Sequence, residues 1–590
     1  MIETKKLIPF GEISESFTGL KDKGIYYVDK TGFIPFVLKQ NREICVVTRP
    51  RRFGKTLMLR TLQAFFEYRL DDKGEPVDNR RYFEGLKVMD AGEDILKHLG
   101  QYPVISLSLK GMRNDSLDEM VVKLRNALAS ACSPQDYLLE HPALSAFERD
   151  QYLQIRSARI GQGDLEDALR TLCALIYKAT KKNTVILLDE YDVPLQQAAI
   201  YDSDHPGSDL FDKTVKLVGN FISSGFKSNE NLAYGVISGC MRVAKESIFT
   251  GMNNPGVIDV TSKLPDEFWG FTEAEVKQML DYYGLKDQYP TIEAWYDGYN
   301  FGGRKVFNPW SLLNAIRGLT NDEGESAIQP YWVMTSGNDI IDDVIEKNPE
   351  HRAALAKMMD GGTIKAQIYK NLSYRDLKRT PDAIWSFLLY TGYLKALNIY
   401  KNADHILEAE VTVPNTEVRT VIRSSMQHWW KNIRLPEYDA RTLLQALYIG
   451  DVAAVVREVS TIMDDSISVN DAKEDFYHGM MVGVLRTLCR VKSNREYGEG
   501  RPDIVVSDGH RAIILELKCL VPSVVNRLPL EQQFQKVPAM MNDLLDEAET
   551  QIRSRYYIEG LMFESPNITE VRAYAMCFCK KRCAVRLVEP

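Results

Sequence analysis

Short apolar runs alternate with longer amphipathic stretches through the first half of the chain. Five runs have the length and apolar content of buried strands, and they occupy residues 43–48, 103–109, 184–189, 233–238 and 257–261. The segments between them have helical periodicity, most clearly at residues 57–68, 116–131, 165–180 and 212–229. Strands that alternate with helices predict a parallel β-sheet with helices on both faces.

The middle of the chain is mainly helical in pattern. Thr272 and Glu275 have the spacing of a capping box, so a helix is expected to begin there. Residues 383–394 form an apolar helix that runs into a strand, and an alternating strand follows at 408–415. This order is the outline of a winged helix, which binds DNA in some proteins and only packs in others. Helices are expected across residues 442–463, with a break at 450–451.

Composition and charge describe an ordinary globular protein. The chain of 590 residues is 45% hydrophobic and 26% charged, with a net charge of −8. The acidic total excludes a globally basic nucleic-acid binder but leaves room for a local basic channel. The N-terminus lacks the pattern of a secretory signal, and no apolar run reaches the length of a membrane span. A soluble, cytoplasmic protein with no membrane partner is therefore expected, with its nine cysteines reduced.

A phosphate-binding loop is predicted where the first strand ends. The strand leads through a loop directly into a helix, and the residues expected to hold a nucleotide are Arg52, Phe53, Gly54, Lys55 and Thr56. In such a unit Lys55 reaches the β- and γ-phosphates, and the Thr56 hydroxyl binds Mg²⁺. The generic pattern has a glycine where this chain has Arg49. The alternative interpretation is a basic loop that only caps a helix.

Two acids follow the strand at residues 184–189, at the end where parallel strands place functional groups. Asp189 is expected to bind Mg²⁺, and Glu190 is expected to polarise the attacking water. Ser238 ends the next strand, where its hydroxyl is a candidate sensor of the γ-phosphate. Arg242 follows and is a candidate for offsetting transition-state charge. A basic start of a surface helix is the equally weighted alternative for Ser238 and Arg242.

A second group of chemically active residues lies near the C-terminus. Asp503 opens a strand, Asp508 and Gly509 predict a tight turn, and the return strand contains Glu516 and Lys518. Alternation places Glu516 and Lys518 on one face, and the hairpin brings Asp503 beside them. Two buried carboxylates are costly unless a cation neutralises them, and Mg²⁺ or Mn²⁺ suits oxygen ligands. The alternative is a plain hairpin with charges on its solvent face.

Several segments make the sequence recognisable as a family. They read TRPRRFGKT, LLDEYDVPL, SGCMRVAKESIFTGMNN, FWGFTEAEV and WYDGYNFGG, and they resemble the AAA-ATPase-like proteins that carry a C-terminal PD-(D/E)XK nuclease-type domain. The resemblance implies an ASCE-type P-loop core that binds ATP, and an arginine at the position of Arg49 is typical of it. It also implies a cytoplasmic, mainly prokaryotic protein.

The C-terminal residues resemble the PD-(D/E)XK nuclease motif itself. Asp503, Glu516 and Lys518 stand at its catalytic positions, and Glu474 on an upstream helix matches the additional metal-binding acid. Gln551 and Tyr557 match a glutamine and a tyrosine that help to hold related sites together. The resemblance implies catalytic Asp503, Glu516 and Lys518, with the metal bound by Glu474, Asp503 and Glu516.

Together these features predict an α/β multidomain protein of four parts. They are a P-loop domain with an AAA-like parallel sheet at residues 1–265, a helical lid at 266–340, a winged-helix-like and helical linker region at 341–465, and a restriction-endonuclease-like α/β domain at 466–590.

The leading functional hypothesis is an ATP-binding and ATP-hydrolysing protein with a metal-dependent nuclease that acts on DNA in defence, repair or control of mobile elements. The alternative is a nucleotide-dependent switch whose nuclease-like domain binds nucleic acid or a protein without cleavage. Any DNA path is expected to use local basic segments, at residues 49–52 and 580–582. The oligomeric state does not follow from the sequence.

Overall fold

The computed structural model describes most of the chain. The described residues are 5–9, 15–40, 43–69, 76–112, 115–241, 255–262, 267–321, 324–332, 348–359, 361–370, 372, 377, 380, 382–422, 440–466, 474–486, 489–493, 500–525 and 529–588. The chain forms two compact units. The first comprises Met1–Gly337 with Lys365–Arg419, and the second comprises Asn338–Ile364 with Thr420–Pro590.

A five-stranded parallel sheet organises the first unit. Its strands are β1 (Ile44–Thr48), β2 (Val104–Ser108), β3 (Thr184–Asp189), β4 (Leu232–Gly239) and β5 (Gly256–Ile258), in the order β2-β3-β4-β1-β5. Strand β4 pairs with both β1 and β3, so it separates the strand before the predicted loop from the strand before the predicted acids. Because all five strands run in parallel, their carboxyl ends meet at one edge of the sheet.

Helices surround both sheets. In the first part of the chain they are α1 (Phe17–Asp22), α2 (Phe33–Lys39), α3 (Lys55–Phe66), α4 (Glu93–Leu96), α5 (Leu117–Ala131), α6 (Ala146–Arg156), α7 (Gln162–Glu166), α8 (Ala168–Thr180), α9 (Val193–Asp204), α10 (Leu210–Phe226), α11 (Glu273–Tyr283), α12 (Tyr289–Tyr296) and α13 (Pro309–Thr320). The later ones are α14 (Pro349–Met359), α15 (Ala383–Thr391), α16 (Ala440–Ile449), α17 (Val452–Ser466), α18 (Glu474–Arg486), α19 (Pro522–Val525), α20 (Leu530–Ser554) and α21 (Tyr557–Glu564). Short 3₁₀ turns occur at Arg80–Tyr82, Lys87–Asp90, Ser133–Leu139, Lys286–Gln288 and Gly324–Ala327.

Local side chains set where several of these helices begin. Ser16, Ser116 and Ser145 each accept a backbone N–H at the start of α1, α5 and α6. The capping box predicted at Thr272 and Glu275 is confirmed at the start of α11. The N-terminal α/β pattern and its parallel sheet are therefore confirmed.

Two predicted elements differ from the structure in extent. The expected helix at residues 165–180 is divided between α7 and α8, because Asp167 leaves the helical conformation with φ −100° and ψ 3°. The expected strand at residues 257–261 ends early, at Ile258. The Asp259 carboxylate accepts the backbone N–H of Thr261, and this local turn competes with continued pairing in the sheet.

Two small sheets complete the first unit after the parallel core. Strands β6 (Tyr299–Phe301) and β7 (Arg304–Val306) form an antiparallel hairpin between α12 and α13. Strands β8 (Ile364–Gln367), β9 (Lys395–Lys401) and β10 (Leu407–Thr412) form a sheet in the order β8-β10-β9, with α15 directly before β9. The helix and strands predicted in this region are thus present, while its DNA contacts stay unassigned.

The second unit is built on a mixed five-stranded sheet. Its strands follow chain order, namely β11 (Arg490–Ser493), β12 (Ile504–Ser507), β13 (Arg511–Cys519), β14 (Glu570–Cys579) and β15 (Arg582–Val588). Only β13 and β14 are parallel to each other among the paired strands described.

Alternation along β13 divides the core of the second unit in two. Ile513, Leu515 and Leu517 belong to the cluster that includes α16, α17 and α18, whereas Ala512 and Ile514 belong to the cluster that includes α20. Even-numbered positions of β13 therefore face α20.

Within the described ranges, no helix combines the length and the apolarity needed to cross a bilayer.

Candidate functional site

The loop after β1 turns sharply from the sheet into α3. Gly54 and Arg52 both have left-handed backbone conformations, with φ of 80° and 68°. Lys55 is almost fully buried, and its Nζ atom donates to the carbonyl oxygens of Arg49 (3.0 Å) and Pro50 (2.9 Å). The lysine thus holds a closed loop at the N-terminus of a helix, which is the geometry that binds a phosphate group.

Three polar side chains meet beside this loop, one from the first turn of α3 and two from the carboxyl ends of β3 and β4. The Thr56 hydroxyl donates to Oδ2 of Asp189 at 2.6 Å, and the Ser238 hydroxyl donates to Oδ1 of the same carboxylate. They come together because β1, β4 and β3 lie side by side and end at one edge. A hydroxyl and a carboxylate at this position are suitable Mg²⁺ ligands, so the donor set fits the predicted ion.

Glu190 follows Asp189 with a left-handed φ of 53°. Burial, followed by the neighbouring charge of Asp189, raises the pKa of the Glu190 carboxyl above its usual value. A carboxyl with a raised pKa, held in a non-glycine left-handed conformation, is typical of residues placed for chemistry rather than for packing.

Asp192 is a residue of this site that sequence reasoning missed. It is 2% exposed, and its Oδ2 atom accepts the backbone N–H groups of Cys240 (2.9 Å) and Met241 (3.0 Å). The carboxylate therefore ties the loop after β3 to the loop after β4. The motif LLDEYDVPL contained the signal, since an acid inside an apolar segment requires a buried partner.

Arg49, which replaces the generic glycine, has a structural role. It is fully buried, and its guanidinium lies 4.9 Å from the ring centroid of Trp269 and 5.0 Å from that of Phe301. Such cation–π contacts satisfy a buried arginine at the base of the loop. Arg49 therefore does not belong to a surface path for DNA, contrary to the expectation for residues 49–52.

The outer residues of the loop are held by tryptophans. The guanidinium of Arg52 lies 4.2 Å from the ring centroid of Trp310, and the indole N–H of Trp332 donates to the carbonyl oxygen of Arg51 at 3.2 Å. The side chain of Phe53 is buried against Tyr299, at 4.9 Å between ring centroids, so it stabilises the loop from below.

A cavity of about 390 Å³ opens over the loop. Its polar side includes Lys55, Thr56 and Glu190. Its other side is aromatic and apolar, and the residues there include Tyr26, Phe268, Phe271, Trp310 and Leu313. A cavity lined by both charged and aromatic side chains suits a nucleotide, because the phosphates need charged partners and the base needs apolar ones. Arg242, the remaining predicted nucleotide contact, lies outside the described residues.

The second site lies on the hairpin of β12 and β13. Gly509 takes a φ of 103° at the predicted tight turn, and the register places Ile504 opposite Leu515. Asp503 therefore lies beside Glu516, and its Oδ2 atom accepts the backbone N–H of Leu517 at 2.7 Å.

Lys518 completes the group on the face towards α20. Its Nζ atom lies 3.3 Å from Oε1 of Glu516 and donates to Oε1 of Gln551 at 3.0 Å. Gln551 in turn donates to the Tyr557 hydroxyl at 3.2 Å. Residues of α20 and α21 thus hold the lysine beside the acid, at the positions of the glutamine and tyrosine that the resemblance to related nucleases implied.

Burial makes the two acids of this site unusual. Glu516 is 1% exposed, and burial followed by the charge of Asp503 raises its pKa to about 8. Burial also raises the pKa of Asp503. Oε2 of Glu516 has no hydrogen-bond partner among the described residues. An unpartnered buried carboxylate oxygen next to a second carboxylate fits a divalent cation. Binding of the cation would offset both the burial of the oxygen and the repulsion between the two carboxylates.

Two further residues bear on this site. Glu474 is the first residue of α18, but its side chain lies outside the described residues, so its predicted metal-binding role stays a prediction. His478, on the same helix, lies with Nε2 3.0 Å from the backbone oxygen of Asp503, a contact that sequence reasoning missed. Within the described part of the chain, no three His, Cys, Asp or Glu side chains form a metal cluster.

Comparison with known protein families finds a match over each of the two regions that contain these residues. Residues 12–249 match the AAA-ATPase-like family, described as a predicted AAA-ATPase, and residues 472–587 match the PD-(D/E)XK nuclease superfamily. The chain joins an AAA-ATPase-like domain to a PD-(D/E)XK nuclease superfamily domain. This confirms the resemblance stated from the sequence motifs and the predicted α/β multidomain fold with a P-loop part and a nuclease-like part.

One curated relative extends the similarity beyond the single domains. It is described as an uncharacterized protein in the vnfD 5′ region of Azotobacter chroococcum mcd 1, and it is 27% identical over 375 residues. The match covers 60% of this chain and 59% of the relative, so the chain spans somewhat over half of that protein's length.

Proposed function

We propose that the AAA-ATPase-like domain binds and hydrolyses ATP and that the PD-(D/E)XK domain is a divalent-metal-dependent nuclease acting on DNA. The observation that supports ATP binding best is the Asp189 carboxylate, which accepts the Ser238 hydroxyl and the hydroxyl of Thr56, a residue that lines the cavity. The observation that supports metal-dependent cleavage best is the buried, unpartnered Oε2 atom of Glu516 beside Asp503.

The proposed roles in the nucleotide site follow from position. Lys55 gives up its carbonyl partners to bind the β- and γ-phosphates, with Arg52, Phe53 and Gly54 as loop contacts and Arg242 as a further candidate. Thr56 and Asp189 hold Mg²⁺, which supplies charge neutralisation when bound. Glu190 accepts a proton from the attacking water, for which a raised pKa is an advantage. Ser238 senses the γ-phosphate.

The proposed roles in the nuclease site use the same logic. Asp503 and Glu516, with Glu474, hold Mg²⁺ or Mn²⁺, which when bound lowers the pKa of water and stabilises charge on the phosphate. Lys518 orients the attacking water from its position between Glu516 and Gln551. Glu516 with a pKa near 8 is ready to exchange its proton for a cation at neutral pH.

The cellular setting is proposed from the sequence. We expect a cytoplasmic protein that acts in defence, repair or control of mobile elements, with ATP and DNA as its ligands. A Mg²⁺-dependent or Mn²⁺-dependent attack on a phosphodiester is the chemistry that the residues favour, and the net charge of −8 restricts DNA to a local basic path.

Two paired variants test the proposal on the full-length protein. Lys55→Ala is expected to abolish ATP hydrolysis, and Glu516→Ala is expected to abolish cleavage of plasmid and single-stranded DNA in Mg²⁺ or Mn²⁺, measured with and without ATP. Each variant controls for the other because the substitutions lie in different domains. ATP turnover that Lys55→Ala removes, with no cleavage by the parent under any condition, would favour the nucleotide-dependent switch instead.

A further inference from the structure

A buried carboxylate lies outside both sites, in the segment after β10. Glu417 is fully buried, whereas Glu410 on β10 accepts a hydrogen bond from Asn398 at the protein surface. Oε1 of Glu417 accepts the Ser311 hydroxyl at 2.7 Å and the backbone N–H of Trp332 at 2.8 Å, and its Oε2 atom has no partner among the described residues. Burying a carboxylate costs free energy unless hydrogen bonds compensate for it, so the presence of Glu417 in this core needs an explanation.

Both donors lead to the phosphate-binding loop. Trp332 donates its backbone N–H to Oε1 of Glu417 and its indole N–H to the carbonyl oxygen of Arg51. Ser311 is the neighbour of Trp310, whose ring lies under the guanidinium of Arg52. One carboxylate thus fixes the two tryptophans that hold consecutive residues of the loop.

The loop needs such support because its conformation is strained. Arg52 has a φ of 68°, which is unfavourable for a residue with a side chain and persists only where the surroundings impose it. The loop is also approached by Gly392, directly after α15, where an added Cβ atom would lie 2.9 Å from Cβ of Pro50. Residues around Glu417 therefore form part of the wall that shapes the nucleotide site.

We propose that Glu417 is a positioning residue for ATP binding, which acts through Trp332 and Ser311 to hold Arg51 and Arg52 in the phosphate-binding conformation. This inference rests on the proposed ATPase function. It adds that residues 365–419, beyond the stretch that matches the AAA-ATPase-like family, belong to the nucleotide site.

The chemistry predicts different effects for two substitutions. Glu417→Leu leaves the Ser311 hydroxyl and the Trp332 N–H unpaired, and we expect the KM for ATP to rise about tenfold while kcat stays within about twofold. Glu417→Gln keeps one acceptor oxygen and is expected to restore the KM to within about threefold of the parent. A split between KM and kcat with rescue by glutamine would not arise from a general loss of folded protein.

A second measurement does not depend on ATP. Amide hydrogen exchange of residues 49–54 in the nucleotide-free protein should become faster in Glu417→Leu and remain unchanged in Glu410→Leu, a matched loss of an acid from the same segment. Trp332→Phe removes the indole donor to Arg51 while keeping an aromatic ring against Tyr393, and it should also speed this exchange. It keeps the test valid if Glu417→Leu does not fold.

The outcomes separate the two proposals. Unchanged exchange at residues 49–54 in folded Glu417→Leu and Trp332→Phe would overturn the positioning role, whether or not the protein binds ATP. Faster exchange in Glu417→Leu and Trp332→Phe, together with a parent protein that neither binds nor hydrolyses ATP, would retain the link to the loop and refute the ATPase function. An equal rise in KM for Glu417→Leu and Glu410→Leu would also contradict the role of Glu417.

Discussion

At the residue scale, Asp192 shows how the nucleotide site is held together by an acid with no proposed chemical step. Its Oδ2 atom accepts two buried N–H groups from the loop after β4. Asp192→Ala leaves both donors unpaired, and we expect it to lower the free energy of unfolding of the first unit by about 2–3 kcal/mol. Urea unfolding at neutral pH measures the change.

A matched carboxylate provides the control for this prediction. Asp202 also accepts two backbone N–H groups, those of Leu210 and Phe211, but it is only partly buried. Water can replace its bonds, so Asp202→Ala should cost about 1 kcal/mol or less. Equal losses in the two variants would show that burial does not determine the cost at Asp192.

The pKa of Glu417 predicts how the free energy of unfolding depends on pH. Burial raises the pKa of this carboxyl from 4.5 to about 7, although the Trp332 and Ser311 donors oppose the rise. Between these values the unfolded chain is ionised while the folded chain retains its proton, so folding becomes less favourable as pH rises towards 7. Burial also raises the pKa of Tyr296 and Tyr299 beside it, so both remain neutral in this window.

Glu417→Gln should remove that dependence on pH. Relative to the parent, the variant should gain roughly 3 kcal/mol in free energy of unfolding between pH 4.5 and pH 7, at about 1.4 kcal/mol per pKa unit. Calorimetry at several pH values measures the gain, and Glu410→Gln should show no such trend. A constant difference between Glu417→Gln and the parent at every pH would contradict the raised pKa.

At the element scale, the turn between β12 and β13 determines how Asp503 meets Glu516. Gly509 has a φ of 103°, and an added Cβ atom there would meet no atom within 4 Å. The cost of Gly509→Ala is therefore one of backbone conformation alone, about 1 kcal/mol in the free energy of unfolding of the second unit. Gly163 on α7 has the same open surroundings without a positive φ, so Gly163→Ala should not destabilise the protein.

Elements were predictable where the signal is local. Apolar runs, Thr272 with Glu275, and the Asp508–Gly509 turn each depend on a few neighbouring residues, and the structure confirms them. The environment of Arg49 depends instead on Trp269 and Phe301, more than two hundred residues later. No local pattern encodes such contacts, which is why Arg49 was predicted as part of a surface path and the role of Glu417 was missed. For Asp192 the apolar segment LLDEYDVPL indicated a buried acid, but its partners Cys240 and Met241 could not be identified from the sequence.

At the scale of the whole molecule, the net charge of −8 sets a condition on the proposed DNA binding. With Arg49 buried, the second basic segment named from the sequence becomes the main candidate. Its residues are Lys580 and Lys581, in the turn between β14 and β15, and Arg582, which begins β15. Replacing all three by alanine in a Glu516→Gln background should weaken DNA binding. For duplex DNA the slope of log K against log salt should become shallower by up to about 3.

A variant with the same change of charge distinguishes a local path from a general field. Three exposed cations of the first unit form ion pairs with nearby acids. They are Arg170 with Asp167, Lys213 with Asp209, and Lys286 with Asp281. Their triple alanine variant removes the same three charges, but it should change the affinity much less, because binding through a local path depends on the cations that contact phosphate. If both triple variants weaken binding equally, DNA responds to the overall charge of the protein and the segment at 580–582 is not its path.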